Sequence, residues 1–136
     1  MMSIPSAKQP LHHVAVAVHS LEESALIYEL LTGETRSPPQ TLESQGVRVT
    51  FIGNIELLEP LAPDTTVGRF LERRGPGLHH VAYRTDDIES ELARLEAAGI
   101  RLIDREPRSG AHGHRVAFLH PSSTGGVLME LVEHGS

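Results

Sequence analysis

Leu11-His12-His13-Val14-Ala15 returns as Leu78-His79-His80-Val81-Ala82, at an offset of 67 residues in a chain of 136. The correspondence continues outward from this pentapeptide. Ser20-Leu21-Glu22 matches Asp87-Ile88-Glu89 in type, and Gly46, Arg48, Val49 and Phe51 match Gly113, Arg115, Val116 and Phe118. Beyond a short insertion, Glu56-Leu57 matches Glu130-Leu131 at an offset of 74. The chain is therefore two copies of one unit, each with a His near its start and a Glu near its end. A pseudo-two-fold relation between the copies would bring two His and two Glu together.

Each copy has the pattern of a βαβββ unit. Residues 11–18 alternate within an apolar, β-branched run and predict a strand. Ser20 and Glu23 form a capping box, opening a helix with Leu21, Ala25, Tyr28 and Leu31 on one face that runs to Gly33. Residues 36–46 read as loop, and strands at 47–52 and 54–59 are joined by a turn at Gly53-Asn54. Thr66 caps a short helix over 67–74, closed by Gly75-Pro76-Gly77. The second copy predicts a strand, a helix from near Asp87 to Gly99, and strands at 101–104, 114–119 and 127–133. The expected fold is α+β: two tandem βαβββ units, about 10–65 and 77–134, forming a curled mixed sheet. They are linked by a short helix at 66–75, and the whole of 1–136 makes one domain.

Composition bounds the partners. With 39% hydrophobic and 22% charged residues this is ordinary globular material, each half marginal alone and adequate with a shared core. A formal net charge of −6 with no basic stretch argues against nucleic acid. The absence of cysteine excludes disulfides, thiolate metal sites and thiol nucleophiles. Met1 to Pro10 does not read as a signal peptide and no window reaches 18 apolar residues, so the expectation is a cytoplasmic protein without a membrane partner.

Strand alternation selects the functional histidines, because side chains at i and i+2 share a face. His13, Ala15 and Ala17 lie together, opposite His12, Val14, Val16 and Val18. In the second copy His80 and Ala82 lie opposite His79 and Val81. The Val-rich face suits packing on the helix, while small Ala residues beside His leave room for a ligand. His13 and His80 are the metal-ligand candidates, and His12 and His79 read as packed histidines. Glu56 and Glu130 interrupt apolar strands, where a carboxylate must be solvated, paired or bound to a metal. Taken singly each residue has a structural explanation. Their recurrence in register predicts one metal site of His13, Glu56, His80 and Glu130.

Leu11 to Glu133 resembles the vicinal-oxygen-chelate superfamily (glyoxalase, bleomycin-resistance and dioxygenase proteins), and within it the methylmalonyl-CoA epimerase family. His-His-Val-Ala (12–15) and Gly-Leu-His-His-Val-Ala-Tyr-Arg (77–84) carry the wider resemblance, together with Ile-Glu-Leu-Leu-Glu-Pro (55–60). Arg-Val-Ala-Phe-Leu-His-Pro (115–121) and Gly-Val-Leu-Met-Glu-Leu (126–131) carry the narrower one. The resemblance implies a glyoxalase-like fold, a homodimer, an acyl-CoA substrate and a divalent ion, cobalt first, with manganese, nickel or zinc also suited. It places the proton-transferring carboxylate that doubles as a ligand on Glu130. Some epimerases carry a second catalytic Glu where this chain has Val49, which leaves the second acid-base group to Glu56, a water or another carboxylate.

The implied chemistry is removal of an α-proton between a carboxylate and a thioester and its return to the opposite face. The segment Arg108 to Arg115 is either a surface connection or a flap over the substrate, with Arg115 near its anionic groups. His112 and His114 form a His-x-His pair without counterpart in the first copy, and so do not read as primary ligands. His19, His120 and His134 read as loop or tail residues. Glyoxalase I-type lyase chemistry on the same four ligands is the nearest alternative. An extradiol dioxygenase would keep a three-ligand face, which Glu56 disfavours, and a drug-sequestering protein of this fold would need no ligands.

Overall fold

The computed structural model describes residues 10–135, so the reading of Met1 to Pro10 as lacking a targeting signal lies, except for Pro10, outside the described residues. The chain divides into two compact units, one spanning His13–His79 and the other joining the residues up to His12 with those from His80 onward. Both boundaries fall inside a His-His pair. Pro10 belongs with the second half, where its carbonyl accepts the Arg84 amide at 2.9 Å.

Strand β1 (Leu11–Ala17), whose residues from His13 belong to the unit ending at His79, leads into helix α1 (Leu21–Thr32). Ser20 Oγ accepts the Glu23 amide at 3.2 Å, satisfying one of the donors a helix start leaves bare. The helix ends at Gly33, whose φ of 75° is the left-handed conformation that glycine adopts without a Cβ penalty. Strands β2 (Gln40–Leu42), β3 (Val47–Ile52) and β4 (Ile55–Pro60) follow, then helix α2 (Thr66–Arg74). β3 and β4 pair antiparallel through Gly53-Asn54, with Ile52 opposite Ile55. Gly53 sits at φ 59°, and a Cβ there would collide with the Glu34 carboxylate. β1 lies parallel to β4, giving the order β2-β3-β4-β1 within this half. Val18, Leu21, Ala25, Ile52 and Leu57 are buried together, with Val16, Tyr28 and Ile55 packed against them.

The other unit repeats the plan. Strand β5 (Gly77–Arg84), whose residues from His80 belong here, leads into helix α3 (Ile88–Ala97). Strands β6 (Arg108–Ser109), β7 (Arg115–Leu119) and β8 (Met129–Glu133) complete it. Asp87 caps α3, accepting the Ser90 amide at 3.1 Å. β5 is parallel to β8, β8 antiparallel to β7, and β7 antiparallel to β6. The core under α3 is Ile88, Leu92, Ala117, Leu119 and Leu131. Each half is thus a mixed four-stranded sheet with a helix on one face, the α+β βαβββ plan the sequence predicts.

Four local expectations are corrected. Residues 36–46 contain β2 and a 3₁₀ turn at Glu43–Gln45, so the first unit gains the strand that a plain loop would have left out. The strand expected at 101–104 is reduced to a single bridge, Leu102 to Leu119. Ile103 and Asp104 both donate their amides to the Phe118 carbonyl, and Asp104 Oδ2 takes the Phe118 amide at 2.9 Å. A side chain thus replaces ladder bonding there. The cap of α2 is Thr65, not Thr66, its hydroxyl accepting the Gly68 amide at 3.0 Å. Leu31, expected on the packed face of α1, is 78% exposed, while Leu21 and Ala25 are buried as expected.

Candidate metal and proton-transfer site

Alternation along β1 puts His13, Ala15 and Ala17 on one face, and all three are buried. Glu56 stands opposite Ala15 on β4 and opposite Phe51 on β3. His13 Nε2 lies 3.2 Å from Glu56 Oε1, and the Phe51 ring meets the imidazole edge-on at 5.5 Å and 89°. A sheet fixes this arrangement more tightly than a loop would, because each residue is held by ladder bonds on a neighbouring strand.

The other half builds the same constellation. Glu130 on β8 stands opposite Ala82 on β5 and opposite Phe118 on β7. His80 Nε2 lies 3.4 Å from Glu130 Oε1, with the Phe118 ring edge-on at 5.2 Å and 89°. His80 and Glu130 are 3% and 4% exposed, His13 and Glu56 4% and 5%. Burial this complete rules out solvated carboxylates and leaves pairing or coordination. The histidine of each pair that alternation places beside the alanines is thus the buried one. His79 instead packs its ring against Phe70 of α2 at 4.9 Å.

The spacing suits two ligands of one ion as well as an ion pair. A charge-assisted N–H···O bond is about 2.7–2.9 Å long, whereas two ligands on a metal with bonds of about 2.0–2.2 Å lie roughly 3.0–3.5 Å apart. The values of 3.2 and 3.4 Å fall in the second range. Imidazole with carboxylate suits a divalent transition ion, so the residues in each half fit the metal that the fold family implies.

Val49 is 1% exposed and stands on the same face as Phe51, so it contributes an apolar wall and no proton acceptor. Arg115 is not brought to the His80–Glu130 pair. It alternates with Phe118 onto the helix side of β7, where it bonds Glu89 of α3 and reaches Glu133 at 3.0 Å. Arg48 repeats this clamp with Glu22 at 2.5 Å and Glu59 at 3.1 Å. Glu133 and Glu59 then accept the first helical amides, Ile88 and Leu21, each at 2.9 Å. Hydrogen bonds from Arg115 and Arg48 hold the Glu89 and Glu22 carboxyls below their ordinary pKa.

A cation on the His80 face that the sequence does not single out is Arg108. Its β6 position opposite Val116 puts it on the His80 face, and its guanidinium lies 5.8 Å from the Phe118 ring centroid, over the ring. Asp104 Oδ1 holds its Nε at 3.2 Å. A cation on the face that carries His80 and Glu130 has the charge an anionic substrate group needs. Alternation from Phe118 through the β6 pairing is the only sequence signal, and a two-residue strand leaves it illegible.

Repeated βαβββ units with His and Glu on facing strands define a class. Residues 12–118 match the model of the glyoxalase/bleomycin resistance protein/dioxygenase superfamily, and the chain belongs to that superfamily. It is 42% identical to an ethylmalonyl-CoA/methylmalonyl-CoA epimerase of Cereibacter sphaeroides, over 89% of this chain and 95% of that protein. It is 40% identical to a mitochondrial methylmalonyl-CoA epimerase of Dictyostelium discoideum, over 90% of this chain and 77% of that protein. A solved structure of a Streptomyces coelicolor methylmalonyl-CoA epimerase variant with 2-nitronate-propionyl-CoA matches with a TM-score of 0.91 and 33% identity, covering 96% of this chain and 97% of that one. Within the superfamily, the chain is a member of the methylmalonyl-CoA epimerase family.

Proposed function

We propose that this chain interconverts the (R) and (S) forms of methylmalonyl-CoA by taking the α-proton from one face and returning a proton to the other. The observation that carries the proposal is the twice-built His–Glu–Phe arrangement, with buried carboxylates held 3.2 and 3.4 Å from imidazole nitrogens. Two equivalent buried carboxylates suit a reaction with two mirror-related proton transfers. The relatives named as epimerases of methylmalonyl-CoA favour this reading over the glyoxalase I-type lyase.

In this proposal the two pairs face one divalent ion, with His13, Glu56, His80 and Glu130 as its ligands. Cobalt is the first choice and manganese, nickel or zinc also suit. The ion would supply Lewis-acid stabilisation of the oxyanion that develops when the α-proton leaves. Glu130 receives that proton, a role worth roughly 10²–10⁴ in rate for a placed carboxylate. The electron pair of the broken C–H bond moves into the enolate, and reprotonation of the opposite face restores the C–H bond. With Val49 apolar, Glu56 is the first candidate for the second transfer, ahead of water. Buried Ala15, Ala17 and Ala82 leave the substrate room beside the histidines. Arg108 rather than Arg115 is the anion-holding residue in this reading, because Arg115 is already engaged by two carboxylates.

A homodimer belongs to the same proposal. Helix α1 leaves Leu30 and Leu31 77% and 78% exposed, apolar surface that a second copy would cover, and sedimentation velocity reads the state. No described helix is long and apolar enough to cross a membrane. The decisive experiment is incubation with (R)- or (S)-methylmalonyl-CoA in D₂O, with metal content measured on the same sample. Deuterium entering the α-position with loss of stereochemical purity is the expected result. A metal-loaded protein that leaves the α-hydrogen in place would overturn the proposal.

A further inference from the structure

Three histidines outside the His–Glu pairs meet at one place in the second unit. β7 and β8 run antiparallel with Arg115 opposite Glu133, so the residues just beyond that pair, His114 and His134, come face to face. Their rings stack at 4.2 Å and 7°. His12, at the start of the first strand, closes the group: its Nε2 lies 2.7 Å from His134 Nε2, and its ring meets that of His114 at 5.9 Å. One ring nitrogen from each lies within 4.8 Å of the other two. Segments separated by more than a hundred residues thus place three imidazoles in mutual contact, which no local sequence preference explains.

We propose that His12, His114 and His134 form a second metal site, for a borderline divalent cation of the zinc, nickel or copper kind. Neutral imidazole is the commonest protein ligand for such ions, and an all-nitrogen donor set disfavours magnesium, calcium and manganese. The three protein ligands leave a fourth tetrahedral position to water, as in open zinc sites. His12 and His114 are half-buried and His134 is exposed, so an ion reaches the group directly from solvent.

The adjustment needed is small. At about 2.0–2.1 Å from the ion, tetrahedral nitrogens lie about 3.3 Å apart, so the 2.7 Å contact between His12 and His134 opens by about 0.6 Å. In that contact one nitrogen donates its proton to the other, and binding an ion displaces the proton from between them. His114 Nδ1 accepts the Gly135 amide at 3.1 Å, which puts the proton of the neutral ring on Nε2. Coordination through Nε2 needs the opposite tautomer, and coordination through Nδ1 takes the same lone pair. Either way the Gly135 amide loses its acceptor.

The site has no twin in the first unit. Val47 occupies the position equivalent to His114, and the equivalent of His12 is His79, which packs on Phe70. It is therefore not a duplicate of the four-residue site. Its softer donor set would select a different ion where both are available.

The test uses chelator-treated full-length protein titrated with Zn²⁺ alone, followed by calorimetry and by the amide spectrum of ¹⁵N-labelled protein. The wild type should bind one more ion per chain than the double variant His114→Ala, His134→Ala. The single variant His134→Gln, at an exposed tail position where folding is not at stake, should weaken that step at least about tenfold, the lower end of what losing even an outer-shell partner costs. The Gly135 amide should shift with saturation of this step. His80→Ala, by contrast, should leave the step intact. Equal stoichiometry in wild type and double variant, or a Gly135 amide unmoved at saturating Zn²⁺, would overturn the proposal, as would loss of all Zn²⁺ binding in His80→Ala.

Discussion

Under the proposed function, replacing Glu130 by Gln separates coordination from proton transfer. The amide has nearly the same shape, so Ala82 and Phe118, which flank Glu130 on neighbouring strands, need not move. Its carbonyl oxygen still offers a lone pair toward the His80 side, where the carboxylate oxygen now stands 3.4 Å from Nε2. What disappears is the capacity to take a proton. A placed carboxylate contributes roughly 10²–10⁴ in rate, which is about 2.7–5.5 kcal/mol of barrier. Washout of the α-hydrogen in D₂O, followed by ¹H NMR from each pure stereoisomer, should therefore slow by at least about 100-fold for one isomer. Metal content should fall much less. Glu56→Gln is the mirror experiment and should slow washout from the other isomer. If Glu130→Gln exchanges the hydrogen of both isomers at close to the wild-type rate while fully folded, Glu130 is not a base. If only Glu56→Gln is silent, water or another carboxylate delivers the second proton.

Other consequences follow from the same two sheets. Glu133→Ala removes the acceptor of the Ile88 amide and an Arg115 partner; a hydrogen bond to a charged group is worth about 1.5–3 kcal/mol, so the melting temperature should fall by about 5–10 °C while Glu133→Gln recovers most of it. Ala82→Val adds methyl groups at a position with no exposed area, and should cost about 1–3 kcal/mol in urea titration while disturbing Glu130 beside it. Glu22 and Glu89 have folded pKa values held below 4.5 by Arg48 and Arg115, so their contribution is complete above that pH and is lost as pH falls through the lowered values. The double variant Arg48→Met, Arg115→Met should therefore show a shallower acid-side loss of stability by circular dichroism. Arg108→Met should raise KM for the acyl-CoA more than it lowers kcat, if its guanidinium binds an anionic group of the substrate in both ground and transition states.

The parts of the candidate site that are legible in the sequence are those with a period. His13 and His80 are separable from His12 and His79 because a strand alternates, and burial bears this out in both strands. Glu56 and Glu130 are legible because the repeat marks them, even though the offset changes from 67 to 74 between the histidines and the glutamates. The short strands are different. β2 has three residues after a Pro-Pro pair and β6 has two, too few for any alternation to register. Arg108 is hidden for that reason. Arg115 is separated from Phe118 by an odd number of positions, so strand geometry sends it to the helix side, away from His80. The His12–His114–His134 group escapes the repeat altogether, since two of its members lie in turn and tail segments whose register only the β7–β8 pairing sets.

The duplicated unit also explains why the two faces of each sheet carry different kinds of residues. On the helix side, an arginine on the third strand of each half bonds a glutamate of the helix and a glutamate near the end of the last strand, and that second glutamate accepts the first helical amide. This clamp ties the start of the helix to the sheet, and both halves contain it. On the other face, the last strand carries the buried, histidine-paired carboxylate three positions before the clamping glutamate: Glu56 before Glu59, and Glu130 before Glu133. Odd spacing along a strand guarantees that the two carboxylates point to opposite faces. One strand therefore positions one carboxylate against the helix and another beside the histidine at once. A one-residue slip of β4 against β3, or of β8 against β7, would exchange them, placing the capping glutamate's neighbour in the site and the ligand against the helix. The clamp penalises that slip directly, because Glu59 and Glu133 would lose both the arginine and the helix amide. The Arg–Glu–helix contacts thus act as register locks for the histidine-paired glutamates on the opposite face, and, under the proposed function, weakening them should lower metal and substrate affinity before it unfolds the chain.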